Sequence, residues 1–528
     1  MNRIFLIVLW LFISSNICFA SETIGSILNF TKSSSEEEVF VHTDKDIYFA
    51  GDAILFKLYR INSNNQNIHW KSKVAYLTIT DLNGAFVAKN QLMIQNGSHN
   101  GYIAIPDTLS SGIYRITCWT NIMLINNLPL FTKQLIILNR FDQNPLKGIL
   151  PYLAFENNNV QKNDPLLENP DTNIVSSAPP IINNEQNNIA LYTEKDSYKP
   201  RKKVTLTISN GNLSEKIISA SMSVVREEAI VNTNIHQNGD KLHNKNHIIS
   251  QRFENIIPEN FGLIVTGKVV MKSTGAPVPN VTVMLTTPDS LLTLKYSKTT
   301  TKGFFHFLID ECYKGRELYL SILNPQMEEN DFEIQLNNKF ISETFSPDIM
   351  LVNQHLNKYI ETTKIVKRTN KAYNLELIKA IDSKQKNRIC PYILYHHPTS
   401  RIRTSDFVPL SDFHEIISEI IPVLKIHEQK GKHITKMVSN RTRNLLDGHP
   451  QFFLDGIYVP RVSNLLSIPF RDIDFIDIIN LPWAYGNLEF NGIVSVFTKQ
   501  TGLYKLENSS NTVFQGIDFI DEKENKAM

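Results

Sequence analysis

Cysteine is scarce in this chain, which has four in 528 residues. Cys18 lies near the N-terminus, and Cys118, Cys312 and Cys390 fall in what we interpret as three different modules. Disulfide-stabilised domains carry more cysteines, in even number and at closer spacing. We therefore expect isolated thiols, buried or facing solvent, and domains that depend on hydrophobic cores alone.

An excess of one charge is also missing, because Lys and Arg number 54, Asp and Glu number 52, and the formal net charge is +2. A strongly basic balance would indicate nucleic acid or a membrane surface as partner, so neither is predicted. Beyond residue 13, no stretch approaches the roughly 18 uncharged apolar residues that a membrane-spanning helix needs. We therefore expect no transmembrane helix after the N-terminal segment.

Catalytic motifs are absent as well. The chain contains no Gly-x-Ser-x-Gly, His-Glu-x-x-His, Walker loop or Cys-x-x-Cys pattern. Asp474 and Asp477 are three positions apart in a predicted strand, so they face opposite sides and make a poor acid–base pair. We predict no catalytic residue and no cofactor.

Histidines offer the remaining route to a metal site. His236, His243 and His247 accompany a polar, Asn-rich stretch that begins at residue 232, and a solvated loop explains them better than a metal does. His396 and His397 are adjacent and project in different directions. No metal site is predicted.

The N-terminus has the order of a secretory signal peptide. Arg3 precedes the apolar run Ile4 to Ile13, and residues 14–20 end in Cys18-Phe19-Ala20. This order predicts a signal peptide over residues 1–20, cleaved after Ala20, and hence export. Lipoprotein processing at Cys18 is an alternative, although Ser15-Asn16-Ile17 matches the usual lipobox poorly.

Residues 36–140 alternate apolar runs with turns. Ile54, Phe56 and Leu58 fall on one face of a strand that follows the Gly51-Asp52 turn. Further strands are predicted at 74–80, 92–94, 101–106 and 112–119. This spacing is typical of a β-sandwich.

The motif Thr43-Asp-Lys-Asp-Ile-Tyr48, with later Ile-Pro-Asp and Ser-Gly-x-Tyr-Arg, resembles the N-terminal macroglobulin-type domain of bacterial alpha-macroglobulins and related envelope proteins. The residues that carry the resemblance are Thr43, Asp44, Lys45, Tyr48, Gly51, Asp52, Ile105, Pro106, Asp107, Ser111, Gly112, Tyr114 and Arg115. None of the cysteines is followed by the Cys-x-Glu-Gln-type thioester motif of protease-trapping members. The resemblance therefore implies a β-sandwich and not a protease trap.

The opening motif recurs as Thr193-Glu-Lys-Asp-Ser-Tyr198, again before an alternating strand with Val204, Leu206 and Ile208. It predicts a second macroglobulin-like module over 190–256, with a strand at 220–225 and a polar loop after it. This copy has Pro200-Arg201 where the first has Gly51-Asp52. Residues 141–189 between the copies are assigned to a linker or long loop, since 157–188 is rich in Asn, Pro and Ser.

Residues 262–337 form the predicted third module. They contain Gly267-Lys-Val269, Thr274-Gly-x-Pro-Val-Pro-Asn-Val281 and Gly303-x-Phe305-x-Phe307. These motifs resemble the carboxypeptidase regulatory-like domain. The resemblance implies a small accessory β-sandwich with no peptidase activity and no zinc ligands.

Residues 338–400 are predicted to be a helical or irregular connector, with helix at 351–382, where Leu375, Ile378 and Ile381 have helical spacing.

Residues 401–502 combine a predicted helix with strands. Ser411 or Asp412 caps the helix, followed by a strand at 423–427. The apolar stripe of that helix, which we assign to the core, is Phe413, Ile416, Ile417, Ile420 and Ile421. Asp455-Gly456 predicts a tight hairpin, and residues 473–479 an edge or half-buried strand.

The order Leu454-Asp-Gly456, Trp483-Ala-Tyr-Gly486 and Gly492-Ile-Val-x-Val-x-Thr498 resembles the plug domain of TonB-dependent outer-membrane receptors. A receptor barrel of 22 strands needs more than roughly 200 residues in strands, and only residues 499–528 follow. We therefore expect a plug-like module without its own barrel, and a tail over 503–528.

The predicted fold class is mainly β: tandem β-sandwich domains, macroglobulin-like and regulatory-like, followed by a small α+β plug-like domain. The resemblances together imply a multidomain envelope protein of Gram-negative bacteria. We expect an exported, non-enzymatic binding or scaffolding protein, periplasmic or associated with the outer membrane, whose partners are outer-membrane or envelope proteins.

One alternative is a plug-bearing accessory of a TonB-dependent nutrient-uptake system that acts with a separate barrel protein. A third hypothesis, an envelope hydrolase, would need a polar pocket with perturbed carboxylates, and the sequence does not indicate one.

Overall fold

The computed structural model describes most of the chain between residues 37 and 520. The described residues are 37–62, 71–155, 189–195, 197–199, 202–210, 220–232, 256–309, 317–323, 332–373, 392–429, 432–460, 462–501, 504, 512–516 and 519–520. Several sequence predictions lie outside the described residues: the signal peptide, the stretch 157–188, Pro200-Arg201, His236, His243, His247, Leu375, Ile378, Ile381 and the cysteines Cys18, Cys312 and Cys390. In the described part the fold is mainly β, as predicted.

Two facing sheets build the first module, defined as residues 36–140. Its elements are β1 (Glu37–Thr43), β2 (Ile47–Phe49), β3 (Ala53–Asn62), β4 (Val74–Thr80), β5 (Phe86–Met93), β6 (Ser98–Ala104), β7 (Gly112–Trp119), α1 (Asn121–Ile125) and β8 (Phe131–Leu138). One sheet has the order β1-β3-β6, and the other contains β2-β8-β7-β4-β5. The predicted face of β3 is confirmed, because Ile54, Phe56 and Leu58 are buried while Leu55 is exposed.

The second module, residues 190–256, is described only in parts. After β9 (Leu153–Phe155) come β10 (Ile189–Thr193), β11 (Leu206–Asn210) and β12 (Val231–Asn232). Strands β10 and β11 pair with each other, and Val204 and Ile208 are each about half exposed. The alternating residues of this copy therefore do not bury one face as those of β3 do.

The strand predicted at 220–225 is wrong, since no strand is assigned there. Met222 and Val224 are exposed, so their alternation does not meet a buried face. The segment contacts the first module through side chains: Lys57 donates to Ala220 O at 3.2 Å, and His42 Nδ1 lies 2.6 Å from Ser221 Oγ.

The third module, residues 262–337, is a second pair of sheets. It contains β13 (Leu263–Met271), β14 (Thr282–Thr286), β15 (Leu294–Lys298), β16 (Phe304–Ile309), β17 (Glu317–Leu323) and β18 (Phe332–Leu336). The sheet orders are β16-β13-β18 and β15-β14-β17. Gly267 of β13 lies directly opposite Phe305 of β16 in the same sheet, and a Cβ there would stand 2.5 Å from Phe305 Cζ.

Residues 338–400 contain β19 (Met350–Val352), which joins β12 and β9 in one sheet, and helix α2 (Leu356–Ala372). Helix is thereby confirmed over residues 356–372 of the predicted range. Leu356, Tyr359 and Ile360 pack in a cluster with Ile47 and Phe49 of β2, so the start of α2 is fixed to the first module.

The fourth module, residues 401–502, is a five-stranded mixed sheet with helices and a separate hairpin. Its elements, with the preceding residue 400, are β20 (Ser400–Arg403), α3 (Phe413–Glu419), β21 (Leu424–Gln429), β22 (Lys432–Met437), β23 (Gln451–Leu454), β24 (Ile457–Val459), α4 (Ser463–Leu466), β25 (Ile473–Tyr485) and β26 (Leu488–Thr498). The sheet order is β20-β25-β26-β23-β24, and β21 pairs with β22.

Local signals in this module are confirmed. Asp455 and Gly456 both have positive φ, 48° and 86°, as a tight hairpin between β23 and β24 requires. Asp412 is the N-cap of α3, because its side chain accepts a hydrogen bond from Glu415 N. The predicted strand at 423–427 corresponds to β21.

The prediction that residues 473–479 form an edge or half-buried strand is wrong. Strand β25 lies between β20 and β26 and pairs with both. Asp477 is 2% exposed. The acidic residues mimic the alternation of a half-solvated strand, but the carboxylate of Asp477 is neutralised from the neighbouring strand by Arg401.

Buried clusters cross the module boundaries. Met284, Leu292 and Leu294 of the third module pack with Phe453 and Phe490 of the fourth in one cluster. Another cluster contains buried residues from both the first and the third modules. These shared cores hold the modules against one another.

The C-terminal segment also crosses the modules. Strand β27 (Thr512–Gly516) pairs with β17, and β28 (Phe519–Ile520) pairs with β5. The sequence predicted only a tail over 503–528. In the described part, no helix is both long and apolar enough to cross a membrane.

Candidate functional site

The residues of the first motif build a hydrogen-bonded turn. Tyr48 Oη donates to Asp44 Oδ1 at 2.6 Å, and Lys45 N donates to Tyr48 Oη at 3.3 Å. Thr43 Oγ1 donates to Lys45 O at 3.0 Å. Burial, then the nearby Asp44 carboxylate, raises the pKa of Tyr48 far above its ordinary value. These contacts give the motif a structural role between β1 and β2.

The second copy repeats part of this turn. Thr193 Oγ1 donates to Lys195 O at 2.8 Å, and Lys195 N donates to Tyr198 Oη at 3.1 Å. Because the same donors and acceptors recur, the internal repeat detected in the sequence is a repeat of local structure.

Asp52, in the Gly51-Asp52 turn after the first motif, holds helix α2 in place. Its carboxylate pairs with Lys45 at 3.0 Å and with Lys367 of α2. Burial alone would raise the pKa of Asp52, but the two ammonium groups outweigh it and hold the pKa below its ordinary value. The charged cluster therefore joins the first module to residues 356–372.

A second buried charge lies between the first and third modules. Glu259 is 0% exposed, accepts a hydrogen bond from Tyr76 Oη and forms an ion pair with Lys339 at 2.9 Å. Burial, followed by the charge of Glu259, raises the pKa of Tyr76 well above its ordinary value.

Beside this pair is a cavity of about 190 Å³, lined by Gln91, Leu263–Thr266 and Leu336–Phe340. Lys339 Nζ already donates to Glu259, to Tyr76 Oη at 3.1 Å and to Ile264 O. An ammonium has three donors, so this lysine has none left for a ligand. The cavity is also smaller than the roughly 300–1,000 Å³ typical of ligand pockets.

Asp474 and Asp477 lie in different environments in the fold. Asp474 is exposed, whereas Asp477 accepts two hydrogen bonds from Arg401, at 2.6 and 2.7 Å, and one from Tyr395 Oη at 3.2 Å. The hydrogen bonds to Asp477 raise the pKa of Arg401. Asp477 thus fixes β20 and residue 395 to β25.

His396 and His397 are both exposed. Among the described residues, no three His, Cys, Asp or Glu side chains are grouped closely enough to hold a metal ion. Cys118 is fully buried in β7, and burial raises the pKa of its thiol, which keeps it protonated.

A different surface was missed by the sequence analysis. We call it the basic ribbon and define it as β21, β22 and the loop that follows to residue 445, with the side chains Lys425, Lys436, Arg441, Arg443 and Leu445. Lys425 and Lys436 are direct cross-strand partners, so their Cβ atoms are about 5 Å apart on one face. The other face carries Leu424 and Met437, which pack into the core of the fourth module.

The loop continues this face. Val438 follows Lys436 by two positions and bridges to Leu445, which places Leu445 on the same face as the two lysines. Leu445 is 58% exposed. A hydrogen bond from Arg443 N to Ser439 O, 3.0 Å long, closes the loop. Arg443 has a positive φ of 61°.

Local charge patterning could have revealed the ribbon. Over residues 424–449 the sequence has six cations, Lys425, Lys430, Lys432, Lys436, Arg441 and Arg443, against two acids, Glu428 and Asp447. The near-neutral total of the whole chain conceals this segment, which only a charge count by segment detects.

Comparisons with known proteins add little to this geometry. No family model and no curated protein matches the chain. A solved structure of beta-glucosidase from Listeria innocua in complex with glucose is 12% identical, with 20% of this chain and 17% of that chain covered and a TM-score of 0.16.

Bacterial alpha-2-macroglobulins cover more of the chain. Trypsin-activated alpha-2-macroglobulin from Escherichia coli is 9% identical over 59% of this chain and 15% of its own, with a TM-score of 0.17. Salmonella alpha-2-macroglobulin reacted with methylamine is 10% identical over 58% of this chain and 15% of its own, also with a TM-score of 0.17. The chain thus spans less than a fifth of each of these structures, and likenesses at such TM-scores carry no argument here.

Proposed function

We propose that this chain is an exported, non-enzymatic binding or scaffolding protein of the cell envelope, periplasmic or associated with the outer membrane. The observation that carries the proposal is the continuity of the buried clusters across the modules. A scaffold must hold separate surfaces in fixed relation, and the packing of Met284 and Leu294 against Phe453 and Phe490 does this for the third and fourth modules.

Polar contacts reinforce the same interface. Asp289 N donates to Asp455 O at 2.8 Å, and Tyr485 Oη donates to Leu294 O at 2.9 Å. Asn487 N donates to Tyr296 Oη at 2.9 Å. Apolar burial together with directional hydrogen bonds disfavours relative motion of the modules, as a scaffolding role requires.

The use of buried charge supports the non-enzymatic part of the proposal. Asp52, Glu259 and Asp477 each form an ion pair with a lysine or an arginine, and each ion pair holds both of its side chains in place. Carboxylates in such pairs join elements of the fold, whereas a general acid or base must be able to exchange its proton with a substrate.

The test is recovery of the tagged full chain from fractionated cells, followed by cross-linking and affinity purification from the envelope fraction. We expect the chain to lose residues 1–20 and to co-purify with envelope proteins. The matched control is Leu6→Arg, which interrupts the apolar run of the leader and should leave the chain uncleaved in the cytoplasm.

Point variants are preferable to truncation in this experiment. Removal of residues 401–528 would uncover the apolar cluster of the third module and remove β27 and β28 from their sheets. A co-purifying β-barrel would favour the alternative of nutrient uptake with a separate barrel. Recovery of the unmodified chain in the cytoplasm alone would contradict the proposal.

A further inference from the structure

Four cations of the basic ribbon have no partner among the residues that the structure describes, unlike several cations elsewhere in the described part. Lys45, Lys339 and Arg401 each form ion pairs with carboxylates. The side chains of Lys425, Lys436, Arg441 and Arg443 form no ion pair or hydrogen bond with any residue that the structure describes. They are therefore available to an external anion.

The placement of these cations is unfavourable for the isolated protein. Like charges directly opposite each other on a sheet destabilise the pair, and Lys425 stands opposite Lys436. The acids nearby in the sequence do not relieve this repulsion. Glu428 lies opposite His433 on the other face of the hairpin, and Asp447 forms no ion pair with a residue that the structure describes. An anionic partner would remove the repulsion.

The exposed side chain of Leu445 indicates which class of anion the basic ribbon binds. It shares the face of the two lysines and is 58% exposed, with Arg441 and Arg443 shortly before it in the loop. Cations beside an exposed apolar side chain suit the boundary between lipid headgroups and acyl chains. Single-stranded nucleic acid is usually held by stacking on aromatic rings, and residues 424–449 contain no Phe, Tyr or Trp.

We propose that the basic ribbon docks this protein on an anionic lipid surface, with headgroup phosphates bound by Lys425, Lys436, Arg441 and Arg443, and Leu445 inserted at the interface. This inference rests on the proposed envelope function only for the identity of the membrane. The phosphate-binding chemistry is a property of the ribbon itself.

The experiment is co-sedimentation of the purified full chain with vesicles of phosphatidylcholine, with and without phosphatidylglycerol. Residues 1–20 are the same in every variant, so differences between variants report on the ribbon and not on the leader. The double variant Lys425→Gln/Lys436→Gln should bind anionic vesicles about 25-fold more weakly, since each cation near an anionic surface contributes about fivefold. Leu445→Ser should weaken binding severalfold further.

The matched control is Lys272→Gln/Lys302→Gln, which removes the same charge from two exposed positions of the third module. It should bind as the unchanged protein does. Equal losses in both double variants would overturn the proposal, because binding would then follow net charge alone. Binding by the unchanged protein should also decrease as salt is raised.

Two further arms identify the source of the phosphate. Inhibition by inorganic phosphate at the concentration of lipid phosphate would indicate a site for the free ion and overturn the lipid assignment. Tighter binding to a single-stranded oligonucleotide than to vesicles would overturn it in favour of nucleic acid. Loss of vesicle binding in the Lys425→Gln/Lys436→Gln variant, with envelope proteins still co-purifying, would support the lipid assignment and show it to be separate from protein partners.

Discussion

Replacing Lys339 with Met is expected to destabilise the contact between the first and third modules by about 3 kcal/mol. Glu259 is 0% exposed, and its carboxylate accepts hydrogen bonds from Ile264 N and Lys339 Nζ, each at 2.9 Å. Removing one partner of a buried pair leaves an uncompensated charge, which costs about 3–5 kcal/mol. Because the Lys339 side chain is 17% exposed, we expect the lower end of this range.

A double-mutant cycle separates the pair from its surroundings. Glu259→Gln alone removes the charge but retains much of the shape, and Glu259→Gln/Lys339→Met removes both charges. The double variant should be more stable than the sum of the single losses indicates, with a coupling free energy of about 2 kcal/mol. Additive losses would show that the pair does not act as a unit.

Hydrogen exchange is the suitable assay, because a chain with several cores does not unfold in one step. Amides of β4, which contains Tyr76, and of β13, which contains Ile264, should exchange faster in Lys339→Met. Lys272→Met, at an exposed position, serves as the control and should change stability by less than about 0.5 kcal/mol. If Lys339→Met resembles that control, the argument from buried charge is refuted.

Two further predictions concern a turn and a carboxylate. Gly456→Ala should cost about 2 kcal/mol or more in the free energy of unfolding of the fourth module, since left-handed strain of about 1 kcal/mol adds to a Cβ contact of 2.7 Å with Thr287 O. Asp52→Asn should destabilise the attachment of α2 at neutral pH, with the loss measured by hydrogen exchange of residues 356–372. Because the pKa of Asp52 lies below its ordinary 3.8, its contribution is fully present above that pH and disappears as the pH falls through the folded-state pKa.

Each of these predictions has a matched comparison. Gly275 also has a positive φ, 70°, but no atom lies within 4 Å of an added Cβ, so Gly275→Ala should show the backbone strain alone. Equal losses at Gly456 and Gly275 would contradict the proposed clash with Thr287. For Asp52, hydrogen exchange of residues 356–372 is compared between the unchanged protein and Asp52→Asn as the pH is lowered. A difference that stays constant would contradict a role for the ionised carboxylate.

Local chemistry in the sequence was sufficient for many elements of this fold. The predicted strands at 74–80 and 112–119 coincide with β4 and β7, because apolar runs bounded by turn residues specify strands directly. The Asp455-Gly456 hairpin and the Asp412 cap depend on backbone conformations that few residue types favour. Such signals need no knowledge of the rest of the chain.

Only part of the basic ribbon could be predicted from the sequence. Lys425 and Lys436 are visible as charges in the sequence, but their opposition depends on the register of β21 and β22. The position of Leu445 beside them depends on its bridge to Val438. A segmental charge count would have found the cations, and no local pattern would have found the shared face.

Pairing between distant residues was decided by the tertiary structure alone. The acidic alternation in β25 predicted solvent on one side, but Arg401, 76 residues before Asp477, supplies the counter-charge on a neighbouring strand. Likewise, the alternation at 220–225 met no buried face, while the C-terminal residues 512–516 added a strand to the third module. Sequence by itself determined which segments can form strands, turns and caps, since those depend on local conformational preference. Which strands pair, and which charges are buried, was decided by contacts between distant segments, because burial and neutralisation are properties of the assembled fold.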